Sequence, residues 1–180
     1  DPDVEFAELD YLTIIKPCDV GACVSTDDPF NEYKWDLSNP QILSTPLFGL
    51  EITGANDADI DWLEAFDAIG GDSFAGTATI GIIDTGIRGT HIEFANGRVI
   101  AAQNFATGYP ATLIDDRDGH GTHVAGIAAA VSDGRGLTGV AYGRNIRLIN
   151  AKACDLYLIN GAVGTACPTS SQASAIVWAV

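Results

Sequence analysis

The chain has 180 residues, of which 47% are apolar; nine are Lys or Arg and 24 are Asp or Glu, a net charge of 9 − 24 = −15. That is enough length and apolar content for one core-bearing domain or part of a larger one, and too many Ile, Val, Leu and Ala for disorder throughout. Nucleic acid is excluded as a partner by the scarcity of cations to neutralise phosphate, and a membrane span by the longest apolar-dominated stretch, His123 to Val131, which is far too short.

The charge divides the chain. Residues 1–75 carry 17 acids and 2 bases, and residues 76–180 carry 7 of each. The first part reads as an acidic, solvated stretch that favours solubility, and the second as a compact core. In chain order, residues 1–12 alternate loosely between apolar and acidic positions, the pattern of a weak strand with a slip. Residues 13–60 carry turn residues and little periodicity and are expected as linker and surface coil. Residues 61–69 have helical spacing behind an acidic start. Thr77 to Ile83 is a short β-branched run ending at Asp84-Thr85-Gly86, the pattern of a buried parallel strand. Arg98 to Phe105 is a second strand, His120 to Val131 a helix of small apolar residues, and Ile146 to Lys152 a third strand. Ser170 to Val180 opens on a Ser cap and is helical. Strands alternating with helices predict an α/β fold with a mainly parallel sheet. The last helix has no terminating residue and the chain contains no Met, so a fragment truncated at both ends is expected.

Of the three pairings of Cys18, Cys23, Cys154 and Cys167, the economical one joins 18 to 23 and 154 to 167, as suits a secreted protein. Four reduced thiols are the alternative.

Two motifs carry chemistry. Ile82-Ile83-Asp84-Thr85-Gly86 puts a carboxylate at the C-terminal end of a buried strand, where open α/β sheets place their sites. His120-Gly121-Thr122-His123-Val124-Ala125-Gly126 opens a helix with a His, whose ring the helix dipole keeps neutral. The carboxylate can fix the imidazole in one tautomer and leave the other nitrogen to take a proton from a nucleophile. Taken singly, D-T-G also marks aspartic proteases, which here would require a dimer using Asp84. H-x-x-H offers half a metal site, with His91 or Asp84 as further ligands, but lacks the Glu of H-E-x-x-H. His123 is expected to pack inside the helix interface, and no metal site is assigned.

Together, D-T-G followed 36 residues later by H-G-T-H-V-A-G resembles the subtilisin-like serine proteases, or subtilases. Gly86-Ile87 with His91 and Glu93-Phe94 is similar to the family's proteinase K branch. Gly139-Val140-Ala141 and the strand after it, then Ala175 to Val180, agree as well. The resemblance covers about residues 56–180, which would be the N-terminal part of a peptidase domain of subtilisin-like three-layer fold, incomplete here. Residues 1–14 resemble the end of the family's inhibitory propeptide. Residues 15–55 would be a linker and the extension of the mature enzyme, with Asp28-Pro29-Phe30 near its start. Cleavage is expected between about Leu12 and Asp28.

The resemblance implies a serine endopeptidase with Asp84 as the charge-relay acid and His120 as general base. Asp116 falls beside a substrate side-chain pocket, and Gly164, Thr165 and Ala166 on an edge strand that pairs with substrate backbone. The nucleophilic Ser and the oxyanion Asn would lie beyond Val180, so this chain alone is expected to be inactive. No cofactor is required. Glu93 stands where some members ligate calcium, which leaves calcium as a structural ion to be tested. Polypeptide substrates and the propeptide are the expected partners, a monomer the expected state of the complete protein, and the exterior of the cell its location. A subtilase-like binding protein without the Ser is the non-enzymatic alternative.

Overall fold

Strand formation follows the β-branched runs. A computed structural model of the chain describes residues 28, 34, 36, 37, 57–68, 76–94, 97–143 and 145–180. Within them lie helix α1 (Trp62–Ala68), strands β1 (Ala78–Asp84) and β2 (Val99–Asn104), helix α2 (His120–Ala129), strand β3 (Ile146–Lys152), strands β4 (Asp155–Ile159) and β5 (Ala162–Ala166), and helix α3 (Thr169–Ala179). The expected strand over residues 1–12, most of the expected coil and the proposed cleavage region lie outside the described residues.

The sheet has the order β1-β3-β2, and both pairings are parallel. Its register runs from Ala78 opposite Ile146 to Asp84 opposite Lys152, so these two polar residues end adjacent strands together. Side chains alternate between faces along a strand, and β1 shows it. Ile82 joins a core cluster with Ile87, Phe94, Ala125, Ala129 and Leu148, beneath α2. Ile83 packs toward the opposite cluster of Ala151, Ala153, Cys154 and Ala175, beneath α3 with Trp178. Two helices therefore cover the two faces of a parallel sheet, as its apolar strands require.

Close packing of α2 depends on small residues. Its buried positions are Gly121, Ala125 and Ala129, spaced four apart on one stripe. The helix ends at Ala129, two residues before the apolar run does. There the buried Arg98 guanidinium donates to the Ala129 carbonyl at 2.6 Å and to the Tyr142 and Gly143 carbonyls at 3.2 and 2.8 Å. The short α1 is pinned by Trp62, whose Nε1 donates to the Val140 carbonyl at 2.9 Å.

One expectation is corrected. Ser170 is not a helix cap: α3 begins at Thr169, directly after Pro168, whose extended ψ of 134° sets the entry of the chain. Gly164, Thr165 and Ala166 lie on β5, which forms an antiparallel hairpin with β4. Its turn is Asn160-Gly161, with φ of 50° and 85°, the two-residue hairpin signature of two successive positive-φ positions. The disulfide between Cys154 and Cys167 closes the base of this hairpin. Cys18 and Cys23 lie outside the described residues.

Candidate active site

Parallel strands deliver their C-terminal ends to one edge of the sheet, and Asp84 is the last residue of β1. The chain then leaves through Thr85 and Gly86, while α2 arrives at the same edge with His120 first. His120 Nδ1 lies 2.8 Å from Asp84 Oδ1. The Asp84 side chain is 16% exposed and that of His120 is 54% exposed. With Asp84 as the acceptor, Nδ1 carries the hydrogen and Nε2 is left as an acceptor. Asp84 is itself held: its Oδ1 accepts the Thr85 amide at 2.6 Å. Its main-chain carbonyl accepts the amides of Ala153 and Cys154 at 2.8 and 3.1 Å.

Backbone contact explains both glycine positions. A Cβ on Gly121 would lie 2.2 Å from the Gly86 carbonyl oxygen and 3.1 Å from Asp84 Cβ. Only glycine lets α2 approach β1 closely enough to bring its first residue over Asp84. Gly86 has φ +117°, and a Cβ there would meet the Ile114 carbonyl at 2.9 Å.

The first turn of a helix carries amides that need outside acceptors. Here the His120 amide donates to Asp118 Oδ1 at 3.2 Å, that of Gly121 to Thr85 Oγ1 at 2.8 Å and that of Thr122 to Asp116 Oδ2 at 2.9 Å. Asp116 also accepts the Thr85 hydroxyl at 2.9 Å, the Thr122 hydroxyl at 2.5 Å, and the Asp118 and Gly119 amides at 3.1 and 2.9 Å. It is 1% exposed. Burial by itself raises the pKa of its carboxyl, but the bonds from Thr122, Gly119 and Thr85 prevail and hold it below the ordinary aspartate value. Both its oxygens are turned inward and occupied.

A second network lies below the pair. Lys152, fully buried, donates from Nζ to the Thr85 carbonyl and stands 3.2 Å from Asp155 Oδ2. Asp155 Oδ1 accepts Arg117 Nη2 at 2.5 Å, and the Arg117 guanidinium lies 4.8 Å from the centre of the Tyr109 ring. Burial raises the Asp155 pKa, and the Leu156 amide with Arg117 and Lys152 lowers it to a net depression. The hairpin joins the site through Thr165, whose hydroxyl donates to Asp118 Oδ2. Gly164, Thr165 and Ala166 lie on β5, which pairs with β4 on one side. Thr85, Asp118, Lys152 and Asp155 were not singled out from the sequence. Thr85 alone carried a signal, as the middle residue of D-T-G.

The histidines separate. His123 is exposed, which corrects the expectation that it packs in the helix interface. It lies two residues from the buried stripe and so on the other side of α2. A groove of about 1090 Å³ runs past His91, Thr122, His123 and Ile127 and does not include Asp84 or His120. The Asp84–His120 pair lies outside this groove, with the His120 side chain half-exposed.

Calcium needs six to eight converging oxygens. Beside Glu93, the buried Asp28 aims its carboxylate at donors: Oδ1 accepts the amides of Asp133, Gly134 and Arg135 at 3.0, 2.6 and 3.0 Å, and Oδ2 the Thr138 hydroxyl at 2.7 Å. Glu93 is buried, and its Oε2 has no hydrogen-bond partner. Burial, then the neighbouring Asp133, raises its pKa to about 7. The Asp28 carboxylate is thus spent on four N–H and O–H donors, which is not the arrangement of a calcium ligand. Among the described residues, the carboxylates that could converge on an ion are the exposed or half-exposed Asp59, Asp61 and Glu64, with nothing further to mark a site.

Residues 76–178 match the Subtilase family. The chain is 53% identical over 62 residues to Subtilisin-like protease 3 of Pseudogymnoascus destructans, covering 34% of this chain and 14% of that protein. It is 41% identical over 108 residues to Fervidolysin of Fervidobacterium pennivorans, covering 58% and 14%. It is 46% identical over 70 residues to an Extracellular serine protease of Serratia marcescens, covering 38% and 6%. The chain thus spans about a seventh or less of the length of these relatives. The match over more than half of its residues, and the Asp84–His120 pair inside that match, place the chain in the subtilase family.

Proposed function

We propose that this chain is the N-terminal part of a serine endopeptidase that hydrolyses polypeptides through an acyl-enzyme. The 2.8 Å contact between Asp84 Oδ1 and His120 Nδ1 carries the reading. In this reading Nε2 of His120 takes the proton of a serine hydroxyl as it attacks the scissile carbonyl, then delivers it to the leaving amine. Asp84 holds the tautomer and stabilises the imidazolium. The serine and the oxyanion asparagine are supplied by the part of the family's chain that follows the stretch matched here. No serine in this sequence stands in a G-T-S-x-A context.

An extended peptide would lie along β5 at Gly164, Thr165 and Ala166, adding a strand by main-chain hydrogen bonds. The disulfide between Cys154 and Cys167 supports an oxidising, extracellular location, as does the similarity to a relative named as extracellular. Residues 1–14 as a propeptide end and 15–55 as a linker remain part of the proposal, as does a monomeric complete enzyme. A dimeric aspartic protease is not favoured, because Asp84 Oδ1 is bonded to an imidazole and an amide.

The test is peptide hydrolysis by the longer protein, with a serine-directed fluorophosphonate as label. Expected are hydrolysis, labelling at one serine, and a loss of roughly 10⁴-fold or more in kcat on His120→Ala. The 180-residue chain itself should hydrolyse nothing. A longer protein that neither cleaves nor labels would turn the reading to a binding protein.

A further inference from the structure

We propose that Asp116 is a positioning residue for the Asp84–His120 pair, acting through the Thr85 hydroxyl and the first turn of α2. Its catalytic consequence rests on the function proposed above; its structural content does not. One hydroxyl, Thr85 Oγ1, connects the residue after Asp84 to the residue after His120, because it accepts the Gly121 amide at 2.8 Å. A hydroxyl has one proton to give, and Thr85 gives it to Asp116 Oδ1 at 2.9 Å. That donation fixes the rotor and leaves the oxygen's lone pairs turned toward α2.

Asp116 Oδ2 takes the amide and hydroxyl of Thr122 from the next position of the same turn. The carboxylate therefore grips α2 directly and β1 through Thr85. The Thr122 hydroxyl also accepts the Arg88 amide at 3.0 Å, which extends the grip to the chain leaving β1. The Lys152 ammonium holds the Thr85 carbonyl from below, so Thr85 is fixed at both ends. The Asp84–His120 contact joins two side chains on separate elements, one of them half-exposed, so its 2.8 Å separation depends on how those elements are spaced. What sets it is the spacing of Thr85 from Gly121, and Asp116 orients the group that bridges them.

The experiment follows the low-field proton of His120 Nδ1 by NMR on the full chain, with Asp84→Asn as the assignment control. Thr85→Val removes the bridging hydroxyl, Thr85→Ser retains it, and Asp116→Asn replaces an acceptor by a donor. Expected are loss or a marked upfield shift of the resonance in Thr85→Val and Asp116→Asn, with Thr85→Ser like the parent, in chains that still unfold cooperatively. An unchanged resonance in folded Thr85→Val overturns the proposal. So does unfolding of both Thr85→Val and Asp116→Asn, which would make the carboxylate merely structural. Should Asp116→Asn alone fail to fold, the Val and Ser pair decides. In the longer protein the same two variants should lower kcat about 10- to 100-fold with little change in KM. Absence of any hydrolysis there would count against the proposed function and leave the resonance result standing.

Discussion

Gly121 is the residue on which the site turns sterically. The atom that a methyl group would strike is a main-chain oxygen, Gly86 O at 2.2 Å, and not the end of a flexible side chain. Gly121→Ala must therefore push α2 away from β1. The expected cost is about 3 kcal/mol, at the upper end of overpacking effects, read as a lowered urea midpoint with an unchanged slope. The same substitution should weaken the low-field His120 resonance, since the pair is pulled apart. Glu93 is the residue-scale contrast, because its effect is one of solvation. With its pKa raised to about 7 from 4.5, the folded state binds its proton more tightly than the unfolded chain does. Its contribution is full below pH 4.5 and is lost as pH rises through 7, worth about 3 kcal/mol at most over that window. The difference in unfolding free energy between Glu93→Gln and the parent should follow that curve, with the variant gaining on the parent as pH rises. A difference independent of pH between 4 and 8 would show that Glu93 is ionised in the fold.

At the scale of elements, the β4–β5 hairpin is the piece least supported by the core. Leu158 and Val163 near its tip are 75% and 71% exposed, and its attachments lie at the base. These include the disulfide, Asp155 under Arg117 and Lys152, Thr165 on Asp118, Tyr109 Oη on the Leu156 carbonyl and Tyr157 Oη on the Thr107 carbonyl. The disulfide closes a loop of sequence separation 13, for which loop-closure entropy gives about 3 kcal/mol. Cys154→Ser with Cys167→Ser should lose 2–3 kcal/mol, with faster amide exchange concentrated in β4 and β5. The β1 and β3 amides should slow-exchange as before relative to global unfolding. Uniform acceleration across the sheet would show that the hairpin and core unfold as one unit. The Asn160-Gly161 turn carries the short-range hairpin signal of N-G between apolar residues, yet no hairpin was read there from the sequence. It was obscured because the segment between the two cysteines has no clean period-two alternation.

The described residues form a three-layer unit in which α2 and α3 cover opposite faces of one parallel sheet. Its charge is asymmetric: the net −15 equals the net of residues 1–75 alone. Added salt should therefore raise the stability of the chain at neutral pH by screening self-repulsion, seen as a rising Tm between low and moderate ionic strength. Calcium should add no more than its ionic strength does, since the Asp28 carboxylate is already satisfied by three amides and a hydroxyl. A Tm that climbs with micromolar calcium and collapses with chelator would show that this loop rearranges around the ion.

The three strands of the parallel sheet, the two long helices and the approach of Asp84 to His120 were legible in the sequence itself. Short β-branched runs bounded by turn residues favour strands, and a carboxylate at a strand end with a His at a helix start can meet above the sheet. Other features were decided by the tertiary structure. Helix α2 is apolar around most of its circumference, so hydrophobicity did not say which side faces the sheet. The size of Gly121, Ala125 and Ala129 decided it, and put His123 outside. Asp116 stands in the charged stretch Asp115-Asp116-Arg117-Asp118, which looks like a solvated loop. It turned inward because the amides of the first turn of α2 and the Thr85 hydroxyl, buried at that point, required an acceptor that no local pattern announces.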